Sequence, residues 1–450
     1  MQRITAGEKI SYTGGLLGQN MIYSFVSLYI MFFFTDLLRI PPQSVTVIVV
    51  IASLWDAVND PIMGFIADRT STKMGKFRPY LLIGPAIIAV TTTLCFVSFG
   101  GSPLATALLA AICYVLWDMS YTVCDIPIWA ISSVVSREPG EKNTMVTLGK
   151  IGGTVGTVIV SVASVALLNV FGGERVPGAF TAAAAVIALL GAVLMALSGV
   201  FVKERIHHPK ADIPMRDNMR TILGNKPLLA LLMTLLIINT VNNIRQVTQI
   251  YFAVYVWGSV DYVTYIGLSL VIGMIFGMAI SPRLLVRFEK KYIFMAACGV
   301  GAVSSAVPFV FSMGVLPSLI LLGVSFAATG VTTISSTAML MDGIDLSEHR
   351  LGFRGEGIVF SMNTFLNKLS ATLAKGILGL VMVGMHYVDN MPPNPTVIAG
   401  FSALVYLVPV ASFLLAVVPL FFYRVDEQQL AQIRHELAAR NEMSGAADAL

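Results

Sequence analysis

Twelve separate stretches of this chain are each long and apolar enough to cross a lipid bilayer, and that feature leaves few folds open to it. A helix rises 1.5 Å per residue and the hydrocarbon layer is ~30 Å thick, so a crossing takes about 20 apolar residues. Such runs lie near 11–35, 43–67, 79–99, 103–135, 143–171 and 179–202, and again near 227–258, 262–285, 292–312, 315–341, 356–386 and 397–423. Hydrocarbon offers the backbone no hydrogen-bond partner, so each run must satisfy its own amides as a helix. Composition agrees: 12% of the residues are charged, against about 25% in a protein whose surface is wetted. Most of the surface must face lipid, and a net charge of +4 gives nucleic-acid binding no support.

The expected fold is therefore an all-α, multi-pass membrane protein of twelve helices in two six-helix bundles. Residues 1–202 form the first bundle, 203–226 a central cytoplasmic loop, 227–424 the second bundle and 425–450 a cytoplasmic tail whose stretch 426–440 reads as an amphipathic helix. Charge tests the count and fixes the sign. With the N-terminus inside, 23 of the 29 lysines and arginines fall in cytoplasmic segments, and only Arg39 and Arg175 fall in outer loops. That bias places both ends in the cytoplasm of a cell whose plasma membrane holds the chain. The first run is too long for a signal-peptide core and no small-residue cleavage site closes it, so it reads as a retained span. Cys95, Cys113, Cys124 and Cys298 all sit in apolar runs without metal-ligand spacing, as packing residues do.

A charged side chain at bilayer depth costs at least ~2.5–3.5 kcal/mol, so each one needs a reason. The second run carries Trp55-Asp56-Ala57-Val58-Asn59-Asp60-Pro61. Asp56 and Asp60 are one helical turn apart on one face, with Asn59 beside them. Two like charges so close oppose each other's ionisation unless a cation or proton lies between them. Hard oxygens neutralised on loading are what a monovalent cation such as sodium needs; a structural carboxylate pair is the alternative. The fourth run carries Asp118, Thr122, Asp125 and Trp129 at spacings of four, three and four, one polar stripe down a helix. Thr122 offers a further oxygen to the ion, Asp125 an acceptor for sugar hydroxyls, and Trp129 a face on which a sugar ring stacks.

Gly64, Asp68, Arg69, Lys73 and Lys76, after the second run, resemble the cytoplasmic loop signature of the major facilitator superfamily, whose substrate site lies at the midplane. More specific pieces run nearly end to end: Ser11-Tyr12 with Gly14 and Gly18, Tyr29 to Asp36, Asp56 to Gly64, Gly75 to Pro79, Tyr121 to Trp129, and Gly352 to Gly357 ahead of Lys368. On these the chain resembles the glycoside–pentoside–hexuronide:cation symporter family. The resemblance implies a sodium, lithium or proton site at Asp56, Asn59, Asp60 and Thr122. It implies sugar contacts at Asn20, Tyr121, Asp125, Trp129, Lys150 and Lys368. Asp342 and Asp345, with Arg354 and Glu356, match a cytoplasmic element and read as gate ion-pair partners. Two positions depart from the family's best-known member: Asn20, preceded by Gln19, replaces an acid, and Lys150 replaces an arginine.

The departures shift the expected cavity toward positive, and Arg245 within the seventh span adds to that. Such a cavity would suit an anionic sugar such as a hexuronide or a sulfo-sugar, since arginine binds carboxylate or sulfonate bidentately. The alternative is that Arg245 pairs with Asp118 or Asp125, or snorkels to an interface, while Lys150 bridges to the ion-site acids. Lys375, seven residues after Lys368, serves either the cavity or the outer vestibule. Gly149, Gly152, Gly153 and Gly156 read as positions of close helix approach. The functional expectation is secondary active transport: symport of a small sugar or glycoside with sodium or proton, by a monomer without a cofactor. An exporter or facilitator on the same fold is the alternative; an enzyme or sensor has no visible catalytic cluster or soluble domain.

Overall fold

The apolar runs fold as helices. The structure is a computed structural model, described for residues 4–70, 72–136, 139–205, 224–351, 356–388 and 394–423 with a few positions of the tail. Its helices are α1 (Ala6–Phe32), α2 (Pro42–Arg69), α3 (Arg78–Cys95), α4 (Pro103–Ala130), α5 (Pro139–Val170) and α6 (Pro177–Phe201). The second half of the chain adds α7 (Lys226–Tyr251), α8 (Tyr262–Arg287), α9 (Lys290–Phe311), α10 (Val315–Leu351), α11 (Glu356–Gly384) and α12 (Pro395–Leu420). Eleven of them, among the described residues, are long and apolar enough to cross a membrane. The twelfth, α2, has 28 residues, with an apolar first part, Pro42–Ala52, ahead of Asp56 and Asp60. The stretch 206–223 and nearly all of 426–450 lie outside the described residues.

Local chemistry sets the helix ends. Proline stands in the first turn of α2, α3, α4 and α6, where its missing N–H costs nothing. Thr5 and Glu8 form a capping box at α1, Thr5 Oγ1 accepting from Glu8 N at 3.3 Å while Thr5 N donates to Glu8 Oε2 at 2.9 Å. Glu8 also holds Arg205 at 2.8 Å, tying the start of α1 to the end of the first six helices. The N-terminus of α3 is capped from a distance. The Glu204 carboxylate accepts the backbone N–H groups of Lys76, Phe77 and Arg78 at 2.8, 2.7 and 3.0 Å. Arg78 reciprocates, donating to the carbonyls of Gly199 and Val200 at 2.9 Å each and so closing α6. Gly75 is required here: its φ is +116°, and a Cβ would stand 2.6 Å from the Glu204 carboxylate. Glu204→Ala leaves three amides without an acceptor and is expected to cost about 2 kcal/mol. The check is the melting temperature in detergent, expected to fall by about 2–4 °C; an unchanged value refutes the cap.

The two halves of the chain repeat one device. α1 runs into a π turn over Phe33–Leu37 and α7 into a π turn over Phe252–Val256. Each ends the same way. Leu38 N bonds to Phe33 O and Ile40 N to Phe34 O, both at 2.9 Å; Trp257 N bonds to Phe252 O and Ser259 N to Ala253 O, both at 3.2 Å. Each then turns through a left-handed residue, Arg39 at φ 55° and Gly258 at φ 81°. A third π turn, Ala403–Leu407, interrupts α12.

By contact the chain forms two units. The first comprises Met1–Lys210, Gln246–Leu268 and Lys375–Phe401; the second comprises Ala211–Arg245, Ser269–Ala374 and Ser402–Leu450. Within the first, α1 packs on α5 and α6, α3 on α4 and α6, and α2 on α4. Within the second, α9 packs on α10 and α12 around a core that includes Leu228, Phe294, Met339 and Phe413.

Candidate functional site

The acids of α2 meet the polar stripe of α4. Thr122 Oγ1 lies 3.2 Å from Asp56 Oδ1, 3.2 Å from Asp60 Oδ1 and 3.2 Å from the carbonyl of Asp118 in its own helix. Thr122 is fully buried and Asn59 is 9% exposed. The side-chain Nδ2 of Asn59 is buried with no hydrogen-bond partner among the described residues. A hydroxyl owns one proton, yet this one faces three acceptor oxygens. It satisfies one of them, and the remaining close oxygens repel unless positive charge joins them. The set is made of hard oxygens from two carboxylates and a hydroxyl, beside an amide side chain, which suits a small monovalent cation or a proton. Among the described residues no group of three or more His, Cys, Asp or Glu side chains comes together, so the donors are not those of a zinc-type centre.

One turn along α4 stands Asp125, half-buried, and it accepts a hydrogen bond from a residue that the sequence reading named only as a neighbour of Asn20. Gln19, 1% exposed on α1, donates through Nε2 to Asp125 Oδ1. Asn20, the position the family pattern favours, turns instead to its own helix, donating to Leu16 O at 3.0 Å, and lies against Gly153 of α5. Tyr121 joins an aromatic ladder, its ring 5.4 Å from Tyr23 and 5.6 Å from Trp117, which stacks in turn on Tyr114 at 5.6 Å. Trp129 is half-buried, one turn beyond Asp125, and Lys150 is exposed on α5. The first unit thus brings together Asp56, Asn59, Asp60, Thr122 and, with Gln19, Asp125.

Lys368 and Arg245 belong to the second unit. Lys368 is half-buried on α11. Arg245 is 4% exposed and donates through Nη2 to Ser305 Oγ at 2.6 Å and Ser325 Oγ at 2.9 Å. Phe326 and Phe413 flank it, their ring centres 5.3 and 5.9 Å from its Cζ. It therefore pins α7 to α9 and α10 inside that unit. Of the gate residues, Asp342 is 2% exposed and pairs with Lys290 at 2.7 Å, joining α10 to the start of α9. Asp345 is half-buried on α10. Arg354 and the side chain of Glu356 lie outside the described residues.

Two further polar contacts were missed. Asp36, in the π turn after α1, accepts hydrogen bonds from Tyr255 and Tyr387, and from Thr35 at 2.6 Å; Thr35 meets Tyr251 at 2.7 Å. This binds the end of α1 to the ends of α7 and α11 within the first unit. Lys375, 7% exposed, donates to Tyr114 Oη at 2.7 Å. An acid at the last turn of span one was the available signal for the first contact, and a second lysine in span eleven for the other.

The sequence model of a family described as MFS/sugar transport protein matches residues 11–427. Among curated relatives, the symporter YjmB of Bacillus subtilis is 28% identical over 97% of this chain and 96% of its own. A putative sulfoquinovose importer of Escherichia coli is 26% identical over 97% of this chain and 95% of its own. The isoprimeverose transporter of Lactiplantibacillus pentosus is 27% identical over 97% and 93%. A solved structure of a variant of the nucleoside transporter NupG shares the fold, with a TM-score of 0.67 at 15% identity over 93% of this chain and all of that one. With eleven helices among the described residues long and apolar enough to cross a membrane, and a family match covering nearly the whole chain, the protein is a multi-pass membrane transporter, not an enzyme, and belongs to the MFS/sugar transport protein family.

Proposed function

We propose that this sugar transporter is a symporter, coupling sugar entry to a sodium ion, lithium ion or proton carried at Asp56, Asn59, Asp60 and Thr122. The observation that carries the reading is the convergence of one threonine hydroxyl on two carboxylates of the neighbouring helix, 3.2 Å from each. Cation entry from outside neutralises the pair and draws α2 and α4 together. Thr122 and Asp125 share α4, three residues apart, so an ion that fixes Thr122 also fixes Asp125 for the sugar. Affinity for the sugar then depends on the ion, which is the thermodynamic content of coupling. The loaded carrier exposes its site to the other side by rocking of the repeats.

Names of relatives support both neutral and anionic sugars, since one is an isoprimeverose transporter and another a putative sulfoquinovose importer. Arg245 has serine partners inside the second unit, so a preference for an anionic sugar rests on Lys150 and Lys368 instead. The test is uptake into proteoliposomes of neutral and anionic sugars, each under an imposed sodium or proton gradient, for wild type and Asp60→Asn. Gradient-driven uptake in the wild type is expected to fall at least tenfold in Asp60→Asn, which removes one carboxylate from the ion. Uptake that ignores both gradients makes the protein a facilitator. Outward movement under an opposed proton gradient makes it an exporter.

A further inference from the structure

Lys375 has unusual surroundings for a cation. It lies within α11, buried, and among the described residues its one hydrogen bond goes to a neutral phenol, Tyr114 Oη at 2.7 Å. Its Nζ stands 5.4 Å from the centre of the same ring. An ammonium has three protons to place and is costly to bury without a countercharge. The countercharge comes through space. Tyr114 stands one turn before Asp118 on α4, and Asp118 one turn before Thr122, so the lysine's hydrogen-bond partner lies two turns from the hydroxyl that faces Asp56 and Asp60. A resident positive charge from the second half of the chain thus sits in the field of the candidate ion site.

Its place in α11 makes the charge conditional. The helix changes unit at this residue: everything from Lys375 to Phe401 packs with the first unit, and Ala374 and the residues before it pack with the second. The next residue is Gly376, where an added Cβ would meet nothing within 4 Å. The same end of α11 leads to Tyr387 and its bond to Asp36. The charge distribution of the loops assigns that end of α1, with Arg39, to the outer face. In this conformation the outer ends of α1, α7 and α11 are bonded together, and the lysine is carried in with them.

We infer that Lys375 is a built-in competitor for the coupling cation, brought beside the acids of α2 and α4 when the outer ends of α1, α7 and α11 close. With the outer end closed, its charge weakens the hold of Asp56 and Asp60 on the ion and favours release to the inside. When α11 withdraws, the acids meet an incoming ion without it. This rests on the reading of Asp56 and Asp60 as the ion site.

The experiment compares wild type, Lys375→Gln, Lys375→Arg and Asp60→Asn in proteoliposomes, using the cation that drives wild-type uptake and titrating that cation alone. Removing a resident unit charge from the neighbourhood of two carboxylates changes their cation affinity by roughly tenfold or more at protein dielectrics. Lys375→Gln is expected to tighten the apparent cation affinity by that factor and to slow net uptake several-fold. Exchange under equal cation on both sides is expected to persist, because exchange does not require ion release. Lys375→Arg, which keeps the charge, is expected to stay near wild type. If Lys375→Gln leaves cation affinity unchanged, or weakens it, the inference is overturned. If Lys375→Gln does not fold, Lys375→Met removes the charge without burying a polar group and is read the same way. Asp60→Asn separates the two failures: if it retains full cation dependence, the ion site itself is misassigned; if it loses it while Lys375→Gln is silent, only the role of the lysine falls.

Discussion

Asp125→Ala is expected to weaken sugar binding by a hundredfold or more while leaving the fold in place. The carboxylate on α4 is reached from α1, where Gln19 Nε2 donates to its Oδ1. That bond braces the carboxylate, a group whose two oxygens can each accept more than one hydrogen bond. A charge-assisted hydrogen bond contributes about 1.5–3 kcal/mol, and two sugar hydroxyls on one carboxylate multiply to roughly 10²–10⁴ in affinity. Gln19→Ala removes only the brace, so a smaller loss is expected, about tenfold. Combining the two should give little beyond Asp125→Ala alone, since both act through one contact. The measurement is equilibrium binding of the transported sugar at saturating cation, with cation titration alongside. Binding in Asp125→Ala that matches wild type would remove Asp125 from the sugar site.

The parts of the site that were legible in the sequence lie within single helices. Asp56 and Asp60, four apart in an apolar run, had to share a face, and Asp118, Thr122 and Asp125 had to form a stripe. The periodicity of a helix dictates both. Thr122 was also read as a further oxygen for the acids of α2, and the structure places its hydroxyl 3.2 Å from each of them. Contacts between helices that depend on rotation were not legible. Gln19 and Asn20 differ by about 100° around α1, and nothing local says which faces α4; the structure gives the bond to Gln19. Lys368 and Lys375 stand nearly on one face by count, yet they pack with different units. The π turn Phe33–Leu37 inserts an extra residue into the turn, which rotates Asp36 away from the face that regular counting assigns. Arg245 was misjudged for a related reason: Ser305 and Ser325 look like incidental polar residues in apolar helices until α9 and α10 are seen to present both to it. The span count and the close-approach glycines needed no such knowledge, since length and the absence of a side chain are read directly.

Those glycines support the second large prediction: Gly152→Leu is expected to abolish assembly of the folded transporter, whereas Gly299→Ala is expected to be neutral or slightly stabilising. Along the seam of α1 and α5, a Cβ at Gly152 would strike the carbonyl oxygen of Thr13, and one at Gly156 the carbonyl oxygen of Leu17. These are backbone atoms, which no rotamer change can move aside. Helices in a bilayer gain nothing from hiding apolar surface, because lipid is as apolar as they are. Their association depends on close packing, and a bulky side chain at the closest approach forces the axes apart over their whole length. α1 carries Gln19 and α4 carries Asp125, so the hydrogen bond between them is lost with the seam. Gly299 lies in α9, and a Cβ there would meet nothing within 4 Å. The helix then gains only the propensity of alanine over glycine, about 0.5–1 kcal/mol. Fluorescence-detected size-exclusion chromatography and melting temperature separate the cases. Gly152→Leu should lose the monodisperse peak, and Gly299→Ala should keep it with an equal or higher melting temperature. A folded, transporting Gly152→Leu protein would mean that α1 and α5 do not meet as the structure places them, and the geometry of Gln19 and Asp125 would have to be abandoned with it.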